Sequence, residues 1–304
     1  MTAHFVPAAD VIAAWQTDVL SGKPPTLYPG GDGDLGRIEI GPGLVTLLGG
    51  PPGVGKSAFV MQLVIDALRL TPTLRALVAN VEMAPAALLD RQLARLSGVD
   101  LQTIRYRKLG AEHADRIAAG LQALVELGTR LAFARPPWTV ENVARAGDAS
   151  GADLIVMDYI QRFTAPGEQS HKKAAVDAVM EYVRGMADCG VAVLVIAAVG
   201  RQRDDKGRSG YGGLNLASFR ESSELEYGAD DAFLLVRDSP DDPTGITLKH
   251  VKSRHGESLD IPLRFTGHVQ RFDPVGDAPD DGPLAAAVRN IWDQQAGEAE
   301  GGNW

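Results

Sequence analysis

Apolar residues along this chain recur with two different spacings. Short apolar runs at 45–48 (VTLL), 75–81 (RALVANV), 130–133, 153–158 (DLIVMD) and 191–199 (VAVLVIAAV) suit buried strands. Between them, 58–70, 84–96, 111–127, 140–149 and 174–189 carry apolar positions three and four apart, the spacing of helices that bury one face. Strands alternating with helices predict an α/β fold with a mostly parallel central sheet flanked by helices. After a short helix at 219–227 the pattern changes. Runs at 232–236, 246–251 and 259–265, with turns at 241–245 and 255–256, predict an antiparallel C-terminal extension.

The ends of the chain read differently. Residues 8–20 have helical spacing through Val11, Ile12, Trp15, Val19 and Leu20, closed by Ser21-Gly22 as a C-cap. The bland expectation is a helix packed on its own domain; the alternative is an arm that docks on a neighbouring subunit. The turn-rich segment 24–36 contains Gly31-x-Gly33-x-x-Gly36, but no strand precedes it, so it is rejected as a dinucleotide fingerprint. From residue 273 the chain is acidic and rich in Gly and Pro, with a short amphipathic stretch at 284–292, and reads as a mostly disordered tail. The expected organisation is an N-terminal helix and linker arm at 1–42, one large domain at 43–272, and the tail at 273–304.

The strand at 45–48 runs directly into Gly50-Pro51-Pro52-Gly53-Val54-Gly55-Lys56-Ser57, a full match to G-x-x-x-x-G-K-[ST], and a helix follows from Ala58. Strand, glycine loop and helix together make a phosphate cradle. The glycines let backbone N–H groups turn inward, and the helix start adds its positive dipole end. Lys56 would reach the β- and γ-phosphates, and Ser57 would offer its hydroxyl to Mg²⁺. A nucleoside triphosphate, ATP, is the expected ligand, held by residues 50–58.

Three further features fit that chemistry. Glu82 follows a buried strand on the ligand edge of an open α/β sheet, though ordinary solvation of a strand-end carboxylate is an equal reading. Asp158 closes a strand of four apolar residues, as a Walker B acid that would hold Mg²⁺ through water or Ser57. In Lys252-Ser253-Arg254 two cations sit two apart at a strand end, so both point to one side, at an anion or simply at solvent. The Gly-rich loop 201–218 carries Arg201, Arg203, Lys206 and Arg208 and reads either as a local basic contact for nucleic acid or as a solvated connection.

Composition narrows the setting. The chain has 304 residues, 45% hydrophobic and 23% charged, with a formal net charge of −9, which argues against a nucleic-acid coat spread over the surface but not against a local basic channel. The single cysteine, Cys189, cannot form an internal disulfide; it reads as a packing residue in a reducing cytoplasm. No signal peptide or membrane-spanning run is present, and six scattered histidines show no metal-ligand spacing.

Over roughly residues 43–272 the chain resembles the RecA-like motor domain of DnaB-type replicative helicases. GPPGVGKSAF resembles the family's P-loop, NVEM (80–83) its S-x-E-M motif, and VDLQTIRYRKL (99–109) the segment after the following helix. VMDYIQ (156–161) is similar to its Walker B signature, FRESSELEYGAD (219–230) to its L-R-E-S-G-x-I-E-Q-D-A-D block, and KSRHG (252–256) to its K-x-R-x-G hairpin. The resemblance implies Glu82 as the general base that polarises the attacking water. It implies Arg254, with Lys252 beside it, as an arginine finger supplied to the next subunit's γ-phosphate. It further implies a ring-like oligomer, a hexamer with active sites between subunits, moving 5′–3′ on single-stranded DNA. Loops at 162–173 and 201–218 would line its channel.

Three departures qualify this. Ala197-Ala198 stands where the family's central strand ends in S-Q, and Gly200 replaces the Asn of L-N-R, so the residue expected to sense the γ-phosphate is missing. Only some forty residues precede the P-loop strand, so a stand-alone motor without the family's helical N-terminal domain is expected. The alternative is a RecA- or KaiC-like regulatory ATPase that assembles with a protein partner without unwinding DNA. A non-enzymatic nucleotide-binding module is the third reading; Glu82 and Arg254 speak against it.

Overall fold

A computed structural model describes residues 5–167, 172–200, 202–203, 209–210, 213–219, 223–239 and 241–275. In chain order it contains α1 (Ala8–Ser21), β1 (Val45–Gly49), α2 (Lys56–Leu70), β2 (Ala76–Asn80), α3 (Pro85–Ser97), α4 (Leu101–Arg105), α5 (Ala114–Val125), β3 (Leu131–Phe133) and α6 (Val140–Ser150). There follow β4 (Leu154–Asp158), α7 (Lys172–Asp188), β5 (Ala192–Ile196), a small hairpin of β6 (Gln202–Arg203) and β7 (Ser209–Gly210), α8 (Ser223–Gly228), β8 (Asp231–Arg237), β9 (Gly245–Ser253), β10 (Ile261–Thr266) and β11 (Arg271–Pro274).

Nine strands form one sheet in the order β11-β10-β9-β8-β1-β5-β4-β2-β3. The six from β3 to β8 run parallel, and β9, β10 and β11 extend the sheet antiparallel. The apolar runs are continuous because both faces are covered, as parallel strands require. Successive side chains go to opposite cores. Leu48, Val78, Leu154, Val156, Leu194, Ile196, Phe233 and Leu235 pack with α2 on one face. Val45, Leu47, Leu77, Ile155, Met157, Val193, Val195 and Leu234 pack with α6 and α7 on the other. That alternation is the strand period itself.

The helix α2 is buried along most of its length, from Ala58 to Ile65 and again at Ala67 and Leu68, so it is a central core helix with little solvent face. Strand β11, which the hydrophobic pattern does not announce, closes over it. Gln62 Nε2 donates to Phe272 O at 2.6 Å and its Oε1 accepts from Phe272 N at 2.9 Å, while the Phe59 and Phe272 rings meet edge-on at 5.2 Å.

Several expectations are corrected. Helix α1 forms with Gly22 as a left-handed cap, but none of its residues is buried: Val11, Ile12, Trp15, Val19 and Leu20 are all more than half exposed. Among the described residues it buries no face against its own domain. Cys189 is exposed just beyond α7, so it is not a packing residue. The stretch expected as one helix at 111–127 is a 3₁₀ turn (Ala111–His113) followed by α5, because Gly110 and the His113 ring satisfy the first turn locally. Of the helix expected at 219–227, the described residues form α8 from Ser223 onward; Phe219 follows a 3₁₀ turn at Leu216–Ser218, and 220–222 lie outside the described residues. The stretch at 284–292 lies outside the described residues.

Candidate nucleotide site at the strand ends

The C-terminal ends of β1, β2, β4 and β5 meet on one edge of the sheet, beside the central strand β1. Ligands of open α/β sheets bind at this edge. The loop after β1 reaches its shape through residues with no side chain. A β-carbon at Gly50 would fall 2.5 Å from Leu235 O, and one at Gly55 would fall 2.8 Å from the Phe272 ring. Both have positive φ, 154° and 102°, which favours glycine. Lys56 folds over the loop, donating from Nζ to Gly50 O at 2.8 Å and to Pro51 O at 3.0 Å. Burial lowers its pKa, and the nearby Asp158 and Glu82 carboxylates oppose that shift.

Ser57 Oγ donates to Asp158 Oδ2 at 2.6 Å, and Asn80 Nδ2 donates to the same oxygen at 2.6 Å. The other side of Asn80 is equally committed: its Oδ1 accepts from Glu82 N at 3.0 Å and Met83 N at 2.7 Å. One amide thus ties the end of β2 to the end of β4 and turns the chain so that Glu82 faces the cleft. Burial raises the Asp158 pKa; Glu82 adds to the rise, while Ser57, Lys56 and Asn80 oppose it. A hydroxyl and a buried carboxylate are the hard oxygen donors that suit Mg²⁺ shared with phosphate oxygens. Among the described residues no group of three or more His, Cys, Asp or Glu that could hold a metal ion comes together.

Gly55, Lys56, Ser57, Glu82, Met83 and Asp158 line a cleft of about 510 Å³ together with Pro52, Gly53, Arg91, Ala198, Phe265 and Gln270. Sequence reasoning missed Arg91. It projects from α3 into the cleft, where burial lowers its pKa and Asp158 works against that, and it makes no hydrogen bond or ion pair among the described residues. Gln161, from the turn after β4, grips the backbone at Ala198. Its Oε1 accepts from Ala198 N at 3.0 Å and its Nε2 donates to Ala198 O at 3.2 Å.

Lys252 in β9 and Arg254 just past its end both reach the segment 226–230, away from the cleft. Lys252 Nζ donates to the carbonyls of Glu226 and Ala229 at 2.6 Å each, capping α8. Arg254 is held at Asp230 Oδ1 at 2.6 Å and at Tyr227 O at 3.1 Å. Asp230 also takes Arg184 at 2.7 Å and the Val45 N–H at 2.8 Å, at the N-terminal end of β1. Arg254 is therefore separated from its own P-loop by the length of β1, roughly 17 Å at 3.3 Å per residue. Of the cations expected at nucleic acid, Arg201, Lys206 and Arg208 lie outside the described residues; Arg203 falls in β6, its side chain likewise outside.

The mostly parallel sheet, the glycine loop before α2 and the Ser57–Asp158 pair define a RecA-like P-loop domain. The chain belongs to the family described as the DnaB-like helicase C terminal domain, whose model matches residues 40–274. It is 27% identical over 256 residues to the replicative DNA helicase DnaB of Buchnera aphidicola subsp. Schizaphis graminum, covering 79% of this chain and 54% of that protein. With the Pasteurella multocida protein of the same name it shares 26% over 267 residues, covering 81% and 55%. The chain thus spans about half the length of these relatives. A solved ATPase domain superposes at a TM-score of 0.77 and 17% identity, covering 90% of this chain and all of that one. A DnaB-like replicative helicase studied with primase superposes at 0.75 and 18%, covering 86% of this chain and 67% of its own. No described helix is long and apolar enough to cross a membrane.

Proposed function

We propose that this chain is a DnaB-like motor that hydrolyses ATP to ADP and phosphate and moves on single-stranded DNA as a ring-like oligomer. The observation that carries the reading is the split of the catalytic set: Lys56, Ser57, Glu82 and Asp158 at one end of the sheet, Arg254 at the other. A finger on the far end serves only a neighbour's nucleotide, so a complete site needs two subunits in head-to-tail contact.

In this reading the backbone of 50–58 and Lys56 hold the phosphates, with Lys56 exchanging the Gly50 and Pro51 carbonyls for phosphate oxygens. Ser57 and Asp158 would hold Mg²⁺, which would neutralise phosphate charge. Glu82, positioned by Asn80, orients and deprotonates the attacking water. Arg254 leaves Asp230 to meet the neighbour's γ-phosphate, with Lys252 holding the hairpin. The basic loop with Arg201, Arg203, Lys206 and Arg208 contacts DNA phosphates. The test is ATP hydrolysis with and without single-stranded DNA, alongside mass in solution; a monomer whose rate ignores DNA overturns the motor.

A second reading keeps the ATPase as a RecA- or KaiC-like regulatory switch, and Ala198 favours it, since a methyl group cannot hydrogen-bond a phosphate. DNA affinity that falls steeply with salt supports the motor, because phosphate contacts release counterions; salt-insensitive or absent binding supports the switch.

A further inference from the structure

The cations at the end of β9 are aimed by an irregularity in the strand itself. Strands β8 and β9 pair Phe233 with His250, but Ala232 with Lys252 and Asp231 with Ser253, so Val251 is an extra residue on β9, a β-bulge. Side chains alternate along a strand, and one extra residue turns those that follow to the other face. Without the bulge Lys252 would stand opposite Asp231, on the face of His250. Phe233, opposite His250, belongs to the core beneath α2, whereas Ala232, opposite Lys252, belongs with Ala229 to the core beneath α7. The bulge therefore delivers Lys252 to the carbonyls of Glu226 and Ala229, and sets the start of the turn from which Arg254 reaches Asp230.

His250 holds this bulge from several sides. Its ring stacks on Phe233 at 4.2 Å and 19°. Leu259 N donates to His250 Nδ1 at 3.3 Å, which leaves the ring proton on Nε2, 3.3 Å from Asp231 Oδ1. The backbone N–H of His250 donates to Asp260 Oδ1 at 2.9 Å. Asp231 and Phe233 lie two apart on one face of β8, so a single imidazole stacks on one and bonds the other. Both side chains of the pair are buried, at 9% and 4% exposure. Apolar residues would serve packing alone; a buried, hydrogen-bonded pair also specifies one arrangement. Nothing in the proposed hydrolysis uses either residue.

We infer that His250 and Asp231 are the positioning pair for the arginine finger: their bond locks the bulge at Val251, and the bulge sets the direction in which Lys252 and Arg254 leave the sheet. This rests on the reading of Arg254 as a finger for the neighbouring subunit and adds to it what aims that finger. The pair touches no nucleotide. Its action runs along β9, from the His250 ring through the extra residue to the turn at 253–256, where Gly256 N donates to Ser253 Oγ at 3.1 Å. Loosening the bulge lets Lys252 slip toward the face of His250 and takes Arg254 off its line to the neighbour's γ-phosphate.

The test mixes variants of the full chain in equal amounts with ATP and single-stranded DNA. His250→Phe keeps the stack on Phe233 and removes both ring hydrogen bonds. Alone, it should hydrolyse ATP about tenfold more slowly than the parent while binding ATP within about twofold. Mixed with Lys56→Ala, which supplies a sound finger, it should recover to about a quarter of the parental rate; mixed with Arg254→Ala, which supplies none, it should stay below about a tenth. Asp231→Leu, which removes the bond from the other strand, should show the same asymmetry. His250→Gln, whose amide can still donate to Asp231, should keep at least about half of the parental rate. Parental hydrolysis by His250→Phe beside an inactive Arg254→Ala overturns the positioning pair and leaves the shared site standing. Recovery with Arg254→Ala, or with neither partner, also overturns it, because the defect then lies outside the finger. An Arg254→Ala chain that is fully active alone overturns the shared site and the pair's role with it.

Discussion

Ser57 and Asp158, 101 residues apart in sequence, are joined by a 2.6 Å hydrogen bond from Ser57 Oγ to Asp158 Oδ2. The bond links the first turn of α2 to the end of β4 and fixes both donors that would face Mg²⁺. It does not fully compensate the carboxylate: burial raises the Asp158 pKa despite the hydroxyl and the Asn80 amide. The site therefore holds a carboxylate whose charge is better satisfied by a cation.

Asp158→Asn should stabilise the nucleotide-free protein and abolish Mg²⁺-dependent binding of ATP. The sign follows from the raised pKa. A carboxyl that holds its proton more tightly when folded lowers stability as pH rises from the unfolded aspartate value, 3.8, through the folded value, and the loss persists above it. The variant lacks that loss, so its melting temperature should exceed the parent's at pH 7 and approach it in acid. Melting curves across this range, with and without Mg²⁺-ATP, check both parts.

Glu82→Gln keeps the shape of the side chain and removes the base. Hydrolysis should fall by at least about 10²-fold while ATP affinity stays within a few-fold, as loss of a general base predicts. Single-turnover rates and equilibrium binding on the same preparation separate these effects. Full hydrolysis by the variant would exclude Glu82 from the chemistry.

Asp230→Ala should destabilise the fold by about 2 kcal/mol, because it leaves the Val45 N–H and two arginines without their shared carboxylate. Burial pushes Asp230 up, but the Val45 N–H, Arg184 and Arg254 outweigh it and hold its pKa below the ordinary value. Its stabilisation is present above the unfolded aspartate value and is lost as pH falls through the depressed one. Denaturant titrations at pH 7 and in strong acid should show the difference between parent and variant shrinking toward the acid end.

The parallel sheet and the glycine loop are legible because their signals are local: a run of apolar residues, and glycines at fixed spacing next to a lysine and a serine. The partners of these residues are less so. Arg91 and Arg95 lie four apart on α3 and look alike in sequence, yet Arg95 makes a bidentate pair with Asp66 at 2.9 and 3.0 Å while Arg91 enters the cleft. Only the packing of α3 on α2 tells them apart. Strand β11 was invisible because Arg271-Phe272-Asp273-Pro274 has a single large apolar residue, and what holds it is Gln62, 210 residues earlier. The exposed apolar stripe of α1 was readable, but its lack of a partner within the described domain was not.

The central claim is that hydrolysis needs Arg254 from a neighbouring subunit, and mixing two inactive variants tests it most directly. Lys56→Ala lacks a working P-loop but keeps its finger; Arg254→Ala keeps its P-loop but lacks the finger. Mixed in equal amounts with ATP and single-stranded DNA, they should recover up to about a quarter of the parental rate, the share of interfaces that pair a working loop with a working finger. An Arg254→Ala variant that is fully active alone, or two inactive variants whose mixture stays inactive while co-assembling, would contradict a site shared between subunits.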